Sequence, residues 1–273
     1  MINSIKDILV VSDMDGTLLT AKEGIPNCNI ETINLFCKLG GRFTVATGRT
    51  TESAGRYFDK LHINAPAILY GGGVIYDYNE KKRLKNETLP KDVALRAILV
   101  VMEKFPSIGV EIMGDNGRIY VVRSSHYTHY HTYYEKLTYT LSSVDDIQAG
   151  WNKVLFACNN ETLLQVEEFL SHGDYLGVYF IATNTVYYEI MPSGVSKGNA
   201  LNELAEYLDI PRENVYAIGD YYNDVELLNA AGHAVAMGNA PDDVKAIADE
   251  VTDTCLNGGV GQFIYKLISK YSQ

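Results

Sequence analysis

Short apolar runs that stop at polar, glycine-containing loops recur through the first ninety residues. Asp7-Ile8-Leu9-Val10-Val11-Ser12 is one, rich in β-branched side chains, as a parallel strand buried on both faces should be. Residues 43–46 and 67–70 repeat the pattern, the second leading into Gly71-Gly72-Gly73 and a strand-like 74–76. Ile30, Ile33, Phe36 and Cys37 recur at helical spacing, and Gly40-Gly41 closes that helix. A further helical stretch follows Thr47-Gly48-Arg49 and runs to about Lys60. Strands separated by helices predict βαβ units and a parallel sheet.

The middle of the chain changes pattern. Pro90 opens a helix whose apolar positions Val93, Ala97, Leu99–Val101 and Phe105 could face a sheet, and residues 110–113 and 119–122 flank the turn former Asp115-Asn116-Gly117 as a hairpin does. A strand at 153–157, a helix at 161–170 and a second hairpin, 178–182 with 185–190, follow. Helix–hairpin twice over predicts an α+β module with an antiparallel sheet. From Ser196 the alternation returns: a helix at 196–208, strands at 215–218 and 234–236, and helices near 224–230, after Pro241, and at 260–270. The fold class expected is therefore α/β. A doubly wound (Rossmann-like) parallel-sheet core is made by residues 1–82 plus 190–273, and an α+β cap is inserted at 83–189.

At 273 residues the chain has room for one large or two moderate domains, and 47% apolar residues supply a sizeable core. A net charge of −11 argues against a nucleic-acid partner, which would need clustered Lys and Arg. It leaves open a small phosphorylated ligand met by a metal ion and one or two cations. No apolar run approaches the roughly 20 residues of a membrane span, and Lys6 and Asp7 interrupt any signal-peptide pattern. Four scattered cysteines with no CxxC pair read as reduced thiols. A soluble cytoplasmic protein is expected, of an oligomeric state that the sequence leaves open.

The candidate chemistry lies directly after the strands. Asp13-Met14-Asp15-Gly16-Thr17-Leu18 places two carboxylates at the end of the first predicted strand, where open α/β sheets bind ligands. Thr47-Gly48-Arg49 follows the second strand and brings a hydroxyl and backbone N–H groups. Gly219-Asp220-Tyr221-Tyr222-Asn223-Asp224 follows another and adds two carboxylates and an amide. Gly194-Val195-Ser196-Lys197-Gly198 begins a helix with a lysine in its first turn, where the macrodipole disfavours a cation and an anionic partner is implied.

These four motifs, in this order and spacing, resemble those of the haloacid dehalogenase superfamily, specifically the Cof-like type IIB phosphatases, over residues 7 to 265. The resemblance implies a Mg²⁺-dependent phosphatase acting on a small phosphorylated metabolite, a sugar phosphate or a phosphorylated cofactor. Asp13 would be the nucleophile that forms an aspartyl-phosphate, and Asp15 the general acid and base. The metal site would draw on Asp13, the Asp15 carbonyl and Asp220, with Asp224 orienting Lys197 or a metal-bound water. Thr47, Gly48 and Lys197 would hold the phosphoryl oxygens, and Asn223 would lie near phosphate or metal water. Arg49 would meet the substrate or brace the site against the cap. The cap would close over the crevice and exclude bulk water.

A phosphomutase or phosphotransferase would share the first half-reaction, and a non-catalytic phosphate sensor would share the binding groups. The family commonly has Asn-Gly-Ala where this chain has Gly71-Gly72-Gly73, which removes a polar side chain and reads either as backbone N–H groups taking its place or as a looser hinge. The segment holding His126, His129 and His131 lacks the further ligands of a zinc site and reads as an aromatic cap surface. No P-loop motif occurs.

Overall fold

The computed structural model describes residues 4–20 and 24–271. The chain divides into two compact units, one made of Met1–Arg49, Ala54–Lys85 and Ser196–Gln273, the other of Thr50–Ser53 and Asn86–Val195.

In chain order the first unit contains β1 (Leu9–Ser12), α1 (Asn27–Lys38) and β2 (Arg42–Val45), then α2 (Thr51–Gly55), which straddles the division. It continues with β3 (Ala67–Leu69), β4 (Val74–Asp77) and β5 (Lys82–Asn86). The inserted unit holds α3 (Lys91–Lys104), β6 (Gly109–Gly114), β7 (Ile119–Arg123), α4 (His126–Tyr134) and β8 (Tyr139–Leu141). After these come β9 (Trp151–Ala157), α5 (Asn160–Ser171), β10 (Val178–Ala182) and β11 (Tyr187–Pro192). The chain returns to the first unit with α6 (Lys197–Tyr207), β12 (Val215–Gly219), α7 (Val225–Ala230), β13 (His233–Ala236), α8 (Asp242–Ala246), β14 (Glu250–Val251) and α9 (Gly259–Tyr271).

The core sheet is parallel, in the order β14-β13-β12-β1-β2, and a parallel bridge from Ala46 to Ile68 brings β3 alongside β2. Leu9, Val11, Val215 and Ala217 share one face and pack with Ala200, Leu201 and Leu204 of α6 and Leu227 and Leu228 of α7. The alternate residues, Val10, Phe43 and Tyr216, occupy the other face, where the Tyr216 ring meets Phe263 of α9 at 5.8 Å between centroids. Helices on both faces explain why these strands read as unbroken apolar runs. The doubly wound arrangement also leaves the carboxyl ends of β1, β2 and β12 open at one edge of the sheet.

The inserted unit is built on a mixed, mainly antiparallel sheet in the order β10-β11-β9-β6-β7-β8. Val110, Ile112, Val154, Phe156 and Ile190 pack with Ala94, Ala97, Ile98 and Val101 of α3 and Leu163 and Val166 of α5, and Trp151 lies buried in the same cluster. Register puts Glu111 and Glu189 opposite Leu155, on the other face.

Several boundaries differ from the pattern reading. The helix after Arg49 ends at Gly55 and gives way to turns up to Lys60, because glycine is the weakest helix former after proline. Ala97 and Val101 of α3 are buried as expected, together with Ala94 and Ile98, but Leu99 is half exposed. The three glycines at 71–73 lie in a tight turn closed by Gly73 N–H donating to Tyr70 O at 3.2 Å. All four cysteines are free thiols, and no helix among the described residues is long and apolar enough to cross a membrane.

Candidate active site

Asp13 continues the β1 ladder, its N–H donating to Ile218 O at 2.8 Å, so its place is set by the sheet itself. The following loop folds back tightly: Leu19 N–H donates to Met14 O and Gly16 N–H to Leu19 O. Gly16 has φ +85°, and any side chain there would overlap the carboxylate of Asp220. Glycine therefore lets the β1 loop and the β12 loop touch. Thr17 Oγ1 donates to Asp220 Oδ1 at 2.9 Å.

Lys197 is the first residue of α6, capped by Ser196, whose side chain accepts from Asn199 N. Its ammonium is buried and donates to Asp13 Oδ1 and Asp224 Oδ1, both at 2.6 Å. Two carboxylates thus supply the anionic partners that a cation at a helix N-terminus requires. Asp224 is fully buried, and its second oxygen accepts the N–H groups of Asp220 and Tyr221. Asp13, Asp220 and Asp224 present carboxylate oxygens within 4.8 Å of one another.

The electrostatics follow from that crowding. Burial, then the Asp224 carboxylate, push Asp13 well above the ordinary carboxylate range, with Lys197 opposing. Asp220 is raised to about 6, again by burial first and Asp224 second, with the Thr17 hydrogen bond and Lys197 pulling it down. Burial works against the Lys197 charge, but Asp13 and Asp224 outweigh it and its proton is held more firmly than usual. Three carboxylates around one ammonium leave uncompensated negative charge. An all-oxygen donor set with that excess fits a hard divalent cation such as Mg²⁺. Asp13, Asp220 and Asp224 are the carboxylates that could hold it, Asp224 also serving Lys197 and the backbone N–H groups of its own loop.

The remaining candidates flank this cluster. Thr47, one residue beyond the bridge residue Ala46, is buried, and its Oγ1 accepts Arg49 N–H at 3.2 Å. Gly48 lies in the same loop, between them. Arg49 forms a two-pronged pair with Asp15, Nε to Oδ2 and Nη2 to Oδ1, both 2.7 Å, and lies over the Tyr57 ring at 5.7 Å. Asp15 is 58% exposed in its side chain. Asn223 sits in the 3-10 turn Tyr222–Asp224.

Asn239 escaped the sequence reading. Its Nδ2 donates to Gly16 O at 3.0 Å and Asp220 Oδ2 at 3.2 Å, and its Oδ1 accepts Cys255 N–H. The signal was present: Gly238-Asn239 follows the buried strand β13, the same placement that singled out the other motifs.

Fold and acidic crevice together define an open α/β protein with oxygen donors gathered at its strand ends. A family model for haloacid dehalogenase-like hydrolases matches residues 10–264. The chain is 30% identical over 269 residues to the pyridoxal phosphate phosphatase YbhA of Escherichia coli (strain K12), covering 94% of this chain and 97% of that protein. It is 27% identical over 277 residues to the 5-amino-6-(5-phospho-D-ribitylamino)uracil phosphatase YitU of Bacillus subtilis (strain 168), covering 97% and 98%. A crystal structure of a haloacid dehalogenase-like hydrolase from Bacteroides thetaiotaomicron matches with a TM-score of 0.86 at 28% identity, over 95% of this chain and 99% of that one. The chain belongs to the haloacid dehalogenase-like hydrolase family.

Proposed function

We propose that this protein is a Mg²⁺-dependent phosphatase that hydrolyses a small phosphorylated metabolite through an aspartyl-phosphate on Asp13. The observation that carries the reading is the buried Asp13–Lys197–Asp224 chain at the tip of β1, with Asp220 beside it. The bound metal would offset the negative charge that the carboxylates and the phosphate bring together.

In this reading Asp13 attacks phosphorus and the ester oxygen leaves, taking a proton from Asp15. Water then attacks the acyl phosphate, giving its proton to Asp15 and releasing inorganic phosphate. Lys197 holds the unreacting oxygen of Asp13 and offers positive charge where the transferring group gathers negative charge. Thr47, Gly48 and Asn223 contribute donors to the phosphoryl oxygens. Arg49 orients the Asp15 carboxylate through its two-pronged pair. Asp224 positions Lys197, and Asn239 holds Asp220 against the Gly16 loop. The inserted residues 83–189 would select the substrate, and the cytoplasm is the proposed place of action.

The two relatives are named for pyridoxal phosphate and 5-amino-6-(5-phospho-D-ribitylamino)uracil, so phosphorylated cofactors and their precursors are the first substrates to test. Purified protein should release inorganic phosphate from pyridoxal phosphate, the uracil ribityl phosphate or a hexose phosphate with Mg²⁺ present and not with a chelator. An isomeric phosphate as product would make it a mutase, and binding without any product would make it a sensor.

A further inference from the structure

Lys197 is held by more than its two carboxylates. The turn after β3 has three successive left-handed residues, Tyr70 (φ 52°), Gly71 (φ 67°) and Gly72 (φ 106°). That conformation is costly for a buried tyrosine. It is pinned to the motif after β2, Tyr70 N–H donating to Arg49 O at 3.1 Å and Gly71 N–H to Thr47 O at 3.0 Å. The bare α-carbon of Gly72 lies against the start of α6. A side chain there would overlap the Ser196 carbonyl and reach within 2.9 Å of Lys197 N. One residue past the lysine, Gly198 makes an equally close approach to α7, where a side chain would overlap the Glu226 carbonyl and lie 2.7 Å from its carbon. The residues on both sides of Lys197 are thus set by backbone contacts that only glycine permits.

We propose that Gly72 and Gly198 are positioning residues for Lys197. Together they fix the first turn of α6 against the β3 turn and α7, so that the ammonium meets Asp13 and Asp224 without having to order itself. Because the β3 turn is also tied to Thr47 and Arg49, it sets the spacing between that loop and the lysine. This assignment rests on the catalytic role given to Lys197 above.

The test compares three alanine variants. Gly72→Ala and Gly198→Ala must displace the α6 turn, and kcat and kcat/KM are expected to fall together by about tenfold to a hundredfold. The side-chain ¹⁵N resonance of Lys197 should shift in both. Alanine is the better helix former, so any loss in Gly198→Ala comes from the contact. Gly177→Ala is the control: Gly177, in the inserted unit, has φ +89° and only Pro90 Cγ, at 3.2 Å, near a side chain built there, so the variant meets mainly backbone strain. It should lose thermal stability while keeping wild-type kcat, KM and Lys197 resonance. Wild-type kinetics and an unmoved resonance in Gly72→Ala and Gly198→Ala would overturn the proposal, as would an equal loss of kcat in Gly177→Ala. Should Gly72→Ala not fold, Gly198→Ala decides on the same two readouts. Should the wild-type protein hydrolyse no phosphate ester, the proposed function fails, and the resonance still reports on the positioning.

Discussion

Two groups of buried charge can be compared in this molecule. At the strand ends of the first unit, Asp13, Asp220 and Asp224 gather around the single ammonium of Lys197. In the inserted unit, Glu189 has its own lysine, Lys153, at 2.7 Å, and His131 of α4 stands between Glu111 at 2.7 Å and Glu135 at 3.4 Å. Burial opposes the imidazolium, but Glu111 and Glu135 outweigh it and raise His131 to about 10. Perturbed proton affinities therefore occur in both places and do not by themselves mark a functional site. The difference lies in the balance. In the second group the buried Glu189 has Lys153 and the buried Glu111 has His131, which Glu135 shares, and the pairs tie α4 to β6 and β9 to β11. The first group carries an excess of negative charge that calls for a partner from outside.

Removing the proposed nucleophile would test that contrast most severely. Asp13→Asn is expected to lower phosphate release in the presence of Mg²⁺ by about 10³-fold or more, measured as initial rates on an aryl phosphate. Activity close to wild type would end the reading of the first group as a reaction centre.

The second group should respond in stability rather than rate. His131→Leu leaves Glu111, which is completely buried, without its main partner. Breaking a buried pair in this way costs about 3–5 kcal/mol, readable by urea denaturation. Turnover per folded molecule on a small aryl phosphate should stay unchanged, and a loss of rate at undiminished stability would erase the distinction between the groups.

The same pair sets a pH dependence. Because His131 is raised from an ordinary 6.5 to about 10 in the folded protein, its contribution is fully present below about pH 6.5. It is lost progressively as pH rises from there through about 10. The gap in melting temperature between wild type and His131→Leu should narrow over that window, and a gap that widens would reverse the assignment of charge.

The smallest effect is expected at Asn239, which donates a hydrogen bond to Asp220. Asn239→Ala should raise the Mg²⁺ concentration for half-maximal activity by about tenfold with little change in the saturated rate. An unaltered metal titration would remove Asn239 from the site.

Much of this site was visible along the chain because buried parallel strands read as apolar runs, and polar residues directly after them face the crevice. Asp13, Thr47 and Asp220 were found in that way. Asn239 follows the same rule, but β13 is only four residues long and its single amide had no motif to announce it. The edge strands β5, β8 and β14 escaped for a related reason. Lys82–Asn86 is nearly all charged or amide, Tyr139–Leu141 is exposed throughout, and Glu250–Val251 has two residues, so none shows an apolar period.

The sequence alone determined the alternation of elements, the switch to an antiparallel module and the residue types available at each strand end, since these depend on local periodicity and turn chemistry. Which charges share a partner was settled by the packing of the folded chain. The Arg49–Asp15 pair spans 34 residues, Glu111–His131 links a strand to a helix, and Lys197 reaches Asp13 across 184 positions. Such contacts leave no period in the chain, because they are chosen by how the packed layers bring distant backbone segments together.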